Sequence, residues 1–131
     1  MNAESDIRAA VVALLRGDAA LIALVNRVHD GPPVKATPPM LIVGECSGAD
    51  WGTKDRAGRE LRLAITIEDD LETAARIGGI MPVADAAVQG LTSAVGAWRV
   101  GSLRMIRSRL LRTGAGRWNA LLDYRIRVLA T

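Results

Sequence analysis

The chain has 131 residues, half of them hydrophobic but only 3% aromatic and without Phe, so its core must be built from Ala, Val, Leu and Ile; that length buries a core without staples. A single cysteine, Cys46, excludes an internal disulfide and suits a reducing compartment, and no apolar run reaches the ~18 residues of a membrane span. The net charge of +3 hides a split: residues 97–131 carry eight arginines against Asp123 alone, or +7, whereas residues 1–96 carry nine Lys and Arg against thirteen acids, or −4. Such asymmetry signals a charged partner.

The N-terminus reads as helix. Ser5 is the expected N-cap, and Ile7, Val11, Leu14 and Leu15 recur at helical spacing. Glu4 and Asp6 come first, against the pattern of a signal peptide, so a soluble protein made in the cytoplasm is expected. Gly17 ends this helix and Asp18 caps a second one, with Leu21, Leu24 and Val25 on its apolar side. Val28 and His29 lead into a stiff, extended loop containing Pro32, Pro33, Pro38 and Pro39.

Met40 to Cys46 is a short apolar strand. Ser47 to Gly58, with three glycines and four charges, reads as a mobile hairpin loop; structureless loops of about a dozen residues are usually functional or disordered. Leu61, Leu63, Ile65 and Ile67 alternate with Glu60, Arg62, Thr66 and Glu68 as a half-buried strand. Glu68, Asp69, Asp70 and Glu72 form an acidic turn, and Gly78-Gly79 marks a break. Pro82 fits the first turn of a helix with Val83, Ala87, Leu91 and Val95 on its apolar side, ended by Gly96.

The C-terminal segment is a hairpin. Trp118, Ala120, Leu122, Tyr124, Ile126 and Val128 alternate with Asn119, Leu121, Asp123, Arg125 and Arg127. The preceding strand changes phase, and one extra residue near Met105-Ile106, a β-bulge, repairs it and sets Arg104, Arg107 and Arg109 outward. A three-residue loop, Gly114-Ala115-Gly116, pairs Arg109 with Leu121, Arg107 with Asp123 and Arg104 with Arg125. The second pair is favourable and the third is not, each by a few tenths to ~1 kcal/mol. Arginines facing one another on a sheet invite an anion.

No residue set supports catalysis. His29 is the only histidine and has no ligand at metal spacing; Cys46 reads as a buried structural thiol. The glycine loop lacks the spacing of a phosphate cradle, and the acidic turn lacks that of a calcium loop. No cofactor or metal is expected. The basic hairpin is open to three readings: an ordinary solvated face, a surface near DNA backbone, or a protein contact. Its outward side has no aromatic for base stacking.

Several strings resemble the tail terminator (tail-completion) proteins of long-tailed bacteriophages and of the related gene transfer agents. They are Asp18-Ala19-Ala20-Leu21, Leu24-Val25, Arg27-Val28 before Asp30 and Pro33, Pro39, Gly44-Glu45, Asp50-Trp51, and Trp98-Arg99-Val100 before the arginine-bearing hairpin. The likeness covers essentially the whole chain, as one domain over residues 1–131. It implies an α+β subunit: a mostly antiparallel sheet of about four to five strands with helices packed on one side. It also implies that six copies form a ring at the head-proximal end of the tail tube. The ring would stop tube polymerisation and dock the head connector or stopper, with DNA passing its lumen without sequence specificity and no membrane or catalysis involved. On this reading Glu68, Asp69, Asp70 or Glu72 meets the arginines of a neighbouring copy. Alternatively Arg104, Arg107, Arg109, Arg125 and Arg127 face the lumen. Asp50, Trp51, Lys54, Asp55 and Arg56 form a loop for contact with tube or connector. The other class of function left open is a small nucleic-acid-binding module using the basic hairpin.

Overall fold

A computed structural model describes residues 2–131. Helix α1 spans Ala3–Arg16, α2 spans Ala19–Ile22 and α3 spans Ala75–Gln89; the strands are β1 Arg27–Asp30, β2 Met40–Asp50, β3 Gly58–Asp69, β4 Ala94–Val95, β5 Trp98–Gly114 and β6 Arg117–Ala130. They form one six-stranded sheet in the order β1-β2-β3-β6-β5-β4. β1 lies parallel to β2 and every other pair is antiparallel. The α+β class therefore holds, with a mixed sheet larger than the four to five strands expected.

One face of the sheet carries Leu41, Val43, Leu61, Leu63, Ile65, Ile67, Ala120, Leu122, Tyr124, Ile126 and Val128. These join buried residues of all three helices in a single core. The alternation of β3 is what makes this face: each of its four aliphatic side chains is essentially removed from water, stabilising the fold by about 2 kcal/mol apiece. α1 contributes Ile7, Val11, Val12 and Leu15, while Leu14 is only partly covered.

Several boundaries differ from expectation. The cap of α1 is Asn2, whose Oδ1 accepts the Ser5 N–H at 2.9 Å, so Ser5 lies inside the first turn. Asp18 does cap α2, accepting the Leu21 N–H at 2.9 Å, but Leu24 lies beyond that helix and is exposed. Val28 and His29 belong to a strand, since Arg27–Asp30 pairs with Met40–Val43. The loop expected over Ser47–Gly58 shrinks to residues 51–57, because Ser47 to Asp50 continue β2 against Arg59 to Arg62. The Gly78-Gly79 pair and Pro82 lie within α3 instead of breaking or starting it. All three face solvent, while Ile77, Ile80, Ala84, Ala87 and Val88 are buried, so packing outweighs poor local propensity. Leu91 falls after the helix and Val95 in β4.

The hairpin register is as read from the sequence: Arg104↔Arg125, Arg107↔Asp123 and Arg109↔Leu121, with the ladder shifting between Met105 and Arg107. Two further shifts occur, between Val100 and Ser102 and between Arg112 and Gly114. The last one replaces the three-residue loop by a pairing of Gly114 with Arg117, the turn closing through Gly116 at φ +62°. That left-handed conformation suits a residue without Cβ.

Candidate functional site

Among the described residues no helix packs on the second face of the sheet, and there the charged residues of four strands come together. The register sets Ala49, Glu60, Arg127 and Ser102 side by side, and in the next row Ser47, Arg62, Arg125 and Arg104. A third row brings Ala64, Asp123 and Arg107 together, and a fourth Thr66, Leu121 and Arg109. Arg62, Arg104, Arg107, Arg109, Arg125 and Arg127 thus share a face with Glu60, Glu68 and Asp123, and Glu45 lies on it beside Ser47 and Arg62.

Only part of that charge is neutralised within the chain. Glu60 Oε1 lies 3.4 Å from Arg127 Nη2 and 3.7 Å from Arg125 Nε. The Arg127 guanidinium also sits 5.2 Å from the Trp51 ring, folding the start of the β2–β3 loop back onto this face as a cation–π contact. Among the described residues, Arg62, Arg104, Arg107 and Arg109 make no ion pair. Arg62 and Arg104 flank Arg125, and three like charges in one cross-strand row repel one another unless an anion lies over them. Arg62 was not a sequence candidate. Its outward parity was readable, but its placement beside Arg125 depends on β3 pairing with β6.

The acidic turn behaves differently from a free patch. Asp69 is 2% exposed. Its carboxylate accepts from Arg76 Nε at 3.1 and 3.0 Å and from Arg76 Nη2, and Oδ1 also accepts the Asp70 N–H at 2.8 Å. The Arg76 guanidinium holds the Asp69 carboxyl below the usual carboxylate range. Asp70 adds a weaker contact to Arg76 at 3.3 Å. Glu72 lies 3.6 Å from Arg112 of its own hairpin, its carbonyl accepts from Trp118 Nε1 at 3.2 Å, and Arg112 stacks 5.8 Å from the Trp118 ring. Asp69 and Glu72 are thus engaged inside one subunit. Glu68, half-buried at the end of β3, remains on the arginine face beside Asn119.

In the β2–β3 loop, Asp50 Oδ1 accepts the Gly52 N–H at 3.2 Å, and Trp51, Lys54, Asp55 and Arg56 are all exposed. Cys46 packs against the core, and burial pushes its thiol up to about 11, reinforced by Glu4. Among the described residues no group of three or more His, Cys, Asp or Glu is placed to hold a metal ion. No helix there is long and apolar enough to cross a membrane.

The described residues form an α+β subunit with a covered core on one side of the sheet and an arginine-rich face on the other. Residues 9–129 match the family model described as "Tail completion protein gp17", and the chain belongs to that family; it is a structural protein of a phage-type tail, located in the particle. It is also similar to a chain in the solved virion of a native gene transfer agent particle. The two are 25% identical, with a TM-score of 0.78, over 99% of this chain and 100% of that one. Among curated proteins none matches.

Proposed function

We propose that this subunit is a tail terminator. Six copies close into a ring on the head-proximal end of the tail tube, stop its polymerisation and offer a docking surface to the head connector or stopper protein. The helix-free face of the sheet lines the lumen, with Arg62, Arg125 and Arg104 toward the DNA that passes through. The helices then lie outside, and the exposed loop of Asp50, Trp51, Lys54, Asp55 and Arg56 is available to the tube or connector. Glu68, which makes no ion pair among the described residues, is the member of the acidic turn left to meet a neighbouring copy. The observation that carries this reading is an uncovered cationic face in a member of the tail completion family. A ring needs no catalytic group, and phosphates are met without reading bases.

The test is removal of the protein from its particle. Particles lacking it should show tails of irregular or excess length that fail to join heads, as seen by electron microscopy. Tails of normal length joined to heads would refute the proposal.

The arginine row also supports a second reading, a nucleic-acid-binding module. Titration of the purified protein with duplex DNA at several salt concentrations separates the two. Tight binding that falls steeply with salt would favour the module; weak binding by a discrete ring favours the terminator.

A further inference from the structure

A sheet edge presents unpaired N–H and C=O groups, and folded chains usually blunt it. In this subunit part of one edge is closed from within. Arg8 of α1 donates from Nε to the Gly44 carbonyl at 2.8 Å and from Nη2 to the Val43 carbonyl at 2.6 Å, and Arg16 donates to the Val28 carbonyl at 3.1 Å. Beyond these caps, Glu45 to Asp50 continue β2 with β3 on one side and, among the described residues, no strand on the other. At the far edge, β4 accompanies β5 only as far as Arg99, and the Val100 N–H still reaches the Ser93 carbonyl at 2.8 Å. From Gly101 onward β5 is flanked by β6 alone.

These two unguarded stretches terminate the same cross-strand rows. Ala49 and Ser102 end one row, Ser47 and Arg104 the next. Their charges differ in kind. The open β5 edge carries Arg104, Arg107 and Arg109, none of them ion-paired among the described residues. Glu45 to Asp50 has no base, and of its two acids Glu45 lies on the arginine face beside Ser47 and Arg62, whereas Asp50 pairs with Arg59 on the other parity. Two β5 edges meeting each other would set arginine against arginine, and two β2 edges acid against acid, both destabilising. Only the unlike pairing is favoured. Contact between two different edges is head-to-tail and propagates around a ring.

We infer that a second copy of this chain occupies the open β5 edge, adding the Glu45–Asp50 edge of its own β2, so that the sheet continues from subunit to subunit. This rests on the ring proposed above and specifies its contact. It also keeps the arginine face of every copy on the same side of the continuous sheet.

Disulfide trapping in assembled particles tests it. In a Cys46→Ala background, Ser47→Cys or Ala49→Cys is combined with Ser102→Cys or Arg104→Cys, which gives four double variants at the ends of the cross-strand rows, exposed at 47, 49 and 104 and half-buried at 102. After oxidation, non-reducing electrophoresis should show a ladder of covalent oligomers up to the full ring for at least one pair, and no dimer for any single-cysteine variant. A dimer from Arg104→Cys alone would show β5 pairing with itself and overturn the inference. A ring of native size with no cross-link in any pair would overturn the edge pairing and leave the ring standing. A single copy of the chain per tail would overturn both. A second measurement avoids cysteines: Glu45→Arg should weaken ring formation and Arg104→Glu added to it should restore it, whereas loss without restoration counts against the pairing.

Discussion

Replacing Asp69 by alanine should destabilise the subunit without acting on assembly directly. The carboxylate is 2% exposed and takes two bonds from Arg76 Nε near 3 Å, a third contact from Nη2 and the Asp70 N–H. Truncating one partner of a fully buried pair costs about 3–5 kcal/mol. Here the Arg76 side chain is 39% exposed and can turn to water or to Asp70, so no buried charge is stranded. The loss therefore approaches that of charged hydrogen bonds, about 2 kcal/mol, or roughly 8 °C in Tm. The pH dependence has a definite sign. The folded carboxyl is held below its ordinary value, so its contribution is full above the unfolded pKa of about 4. It fades as pH falls through the lower folded value. Urea unfolding of wild type and Asp69→Ala should give a gap of about 2 kcal/mol at neutral pH that shrinks below roughly pH 4. Asp70→Ala, at an exposed position, should cost under about 0.5 kcal/mol. A gap for Asp69→Ala below about 0.5 kcal/mol at neutral pH, or one that does not shrink in acid, would refute the reasoning.

Three other outcomes follow from the same structure. Tyr124 is the only tyrosine, fully buried with its hydroxyl donating to Asp85 Oδ1 at 2.9 Å, and burial followed by that bond raises its pKa well above the ordinary phenol value. Absorbance at the tyrosinate band should stay silent as pH rises until the chain unfolds, and a reversible titration near pH 10 in folded protein would contradict it. Cys46, held up at about 11 by burial, should be alkylated at mildly alkaline pH about 100-fold more slowly in folded than in denatured protein, as timed by mass spectrometry. A Cβ added at Gly78 or Gly79 meets nothing within 4 Å. Gly78→Ala with Gly79→Ala should therefore raise stability by about 1–2 kcal/mol in denaturant unfolding; a lower midpoint would show that the helix needs its glycines.

The sequence alone determined what alternation and local chemistry can encode. Leu61 to Ile67 and Ala120 to Val128 announced their buried sides, and a single phase change at Met105-Ile106 was enough to place Arg104 opposite Arg125. Hairpin neighbours are local, so their register follows from one turn and one bulge. Tertiary structure alone decided what joins distant segments. β1 is four residues long and exists because Met40 to Val43 lie alongside it. β2 extends to Asp50 because β3 is there to receive its exposed, glycine-containing end. α3 absorbs two glycines and a proline because Ile77, Ile80 and Val88 are anchored in the core. Charge shows the same division most clearly. Along the chain thirteen of the fourteen acids precede the arginine-rich last third, yet strand order sets β3 beside β6, so Glu60 clamps Arg125 and Arg127, and Glu72 lies by Arg112. Summed charge is a property of composition. Which arginines remain unpaired depends on which strands become neighbours, and the burial of the whole core fixes that.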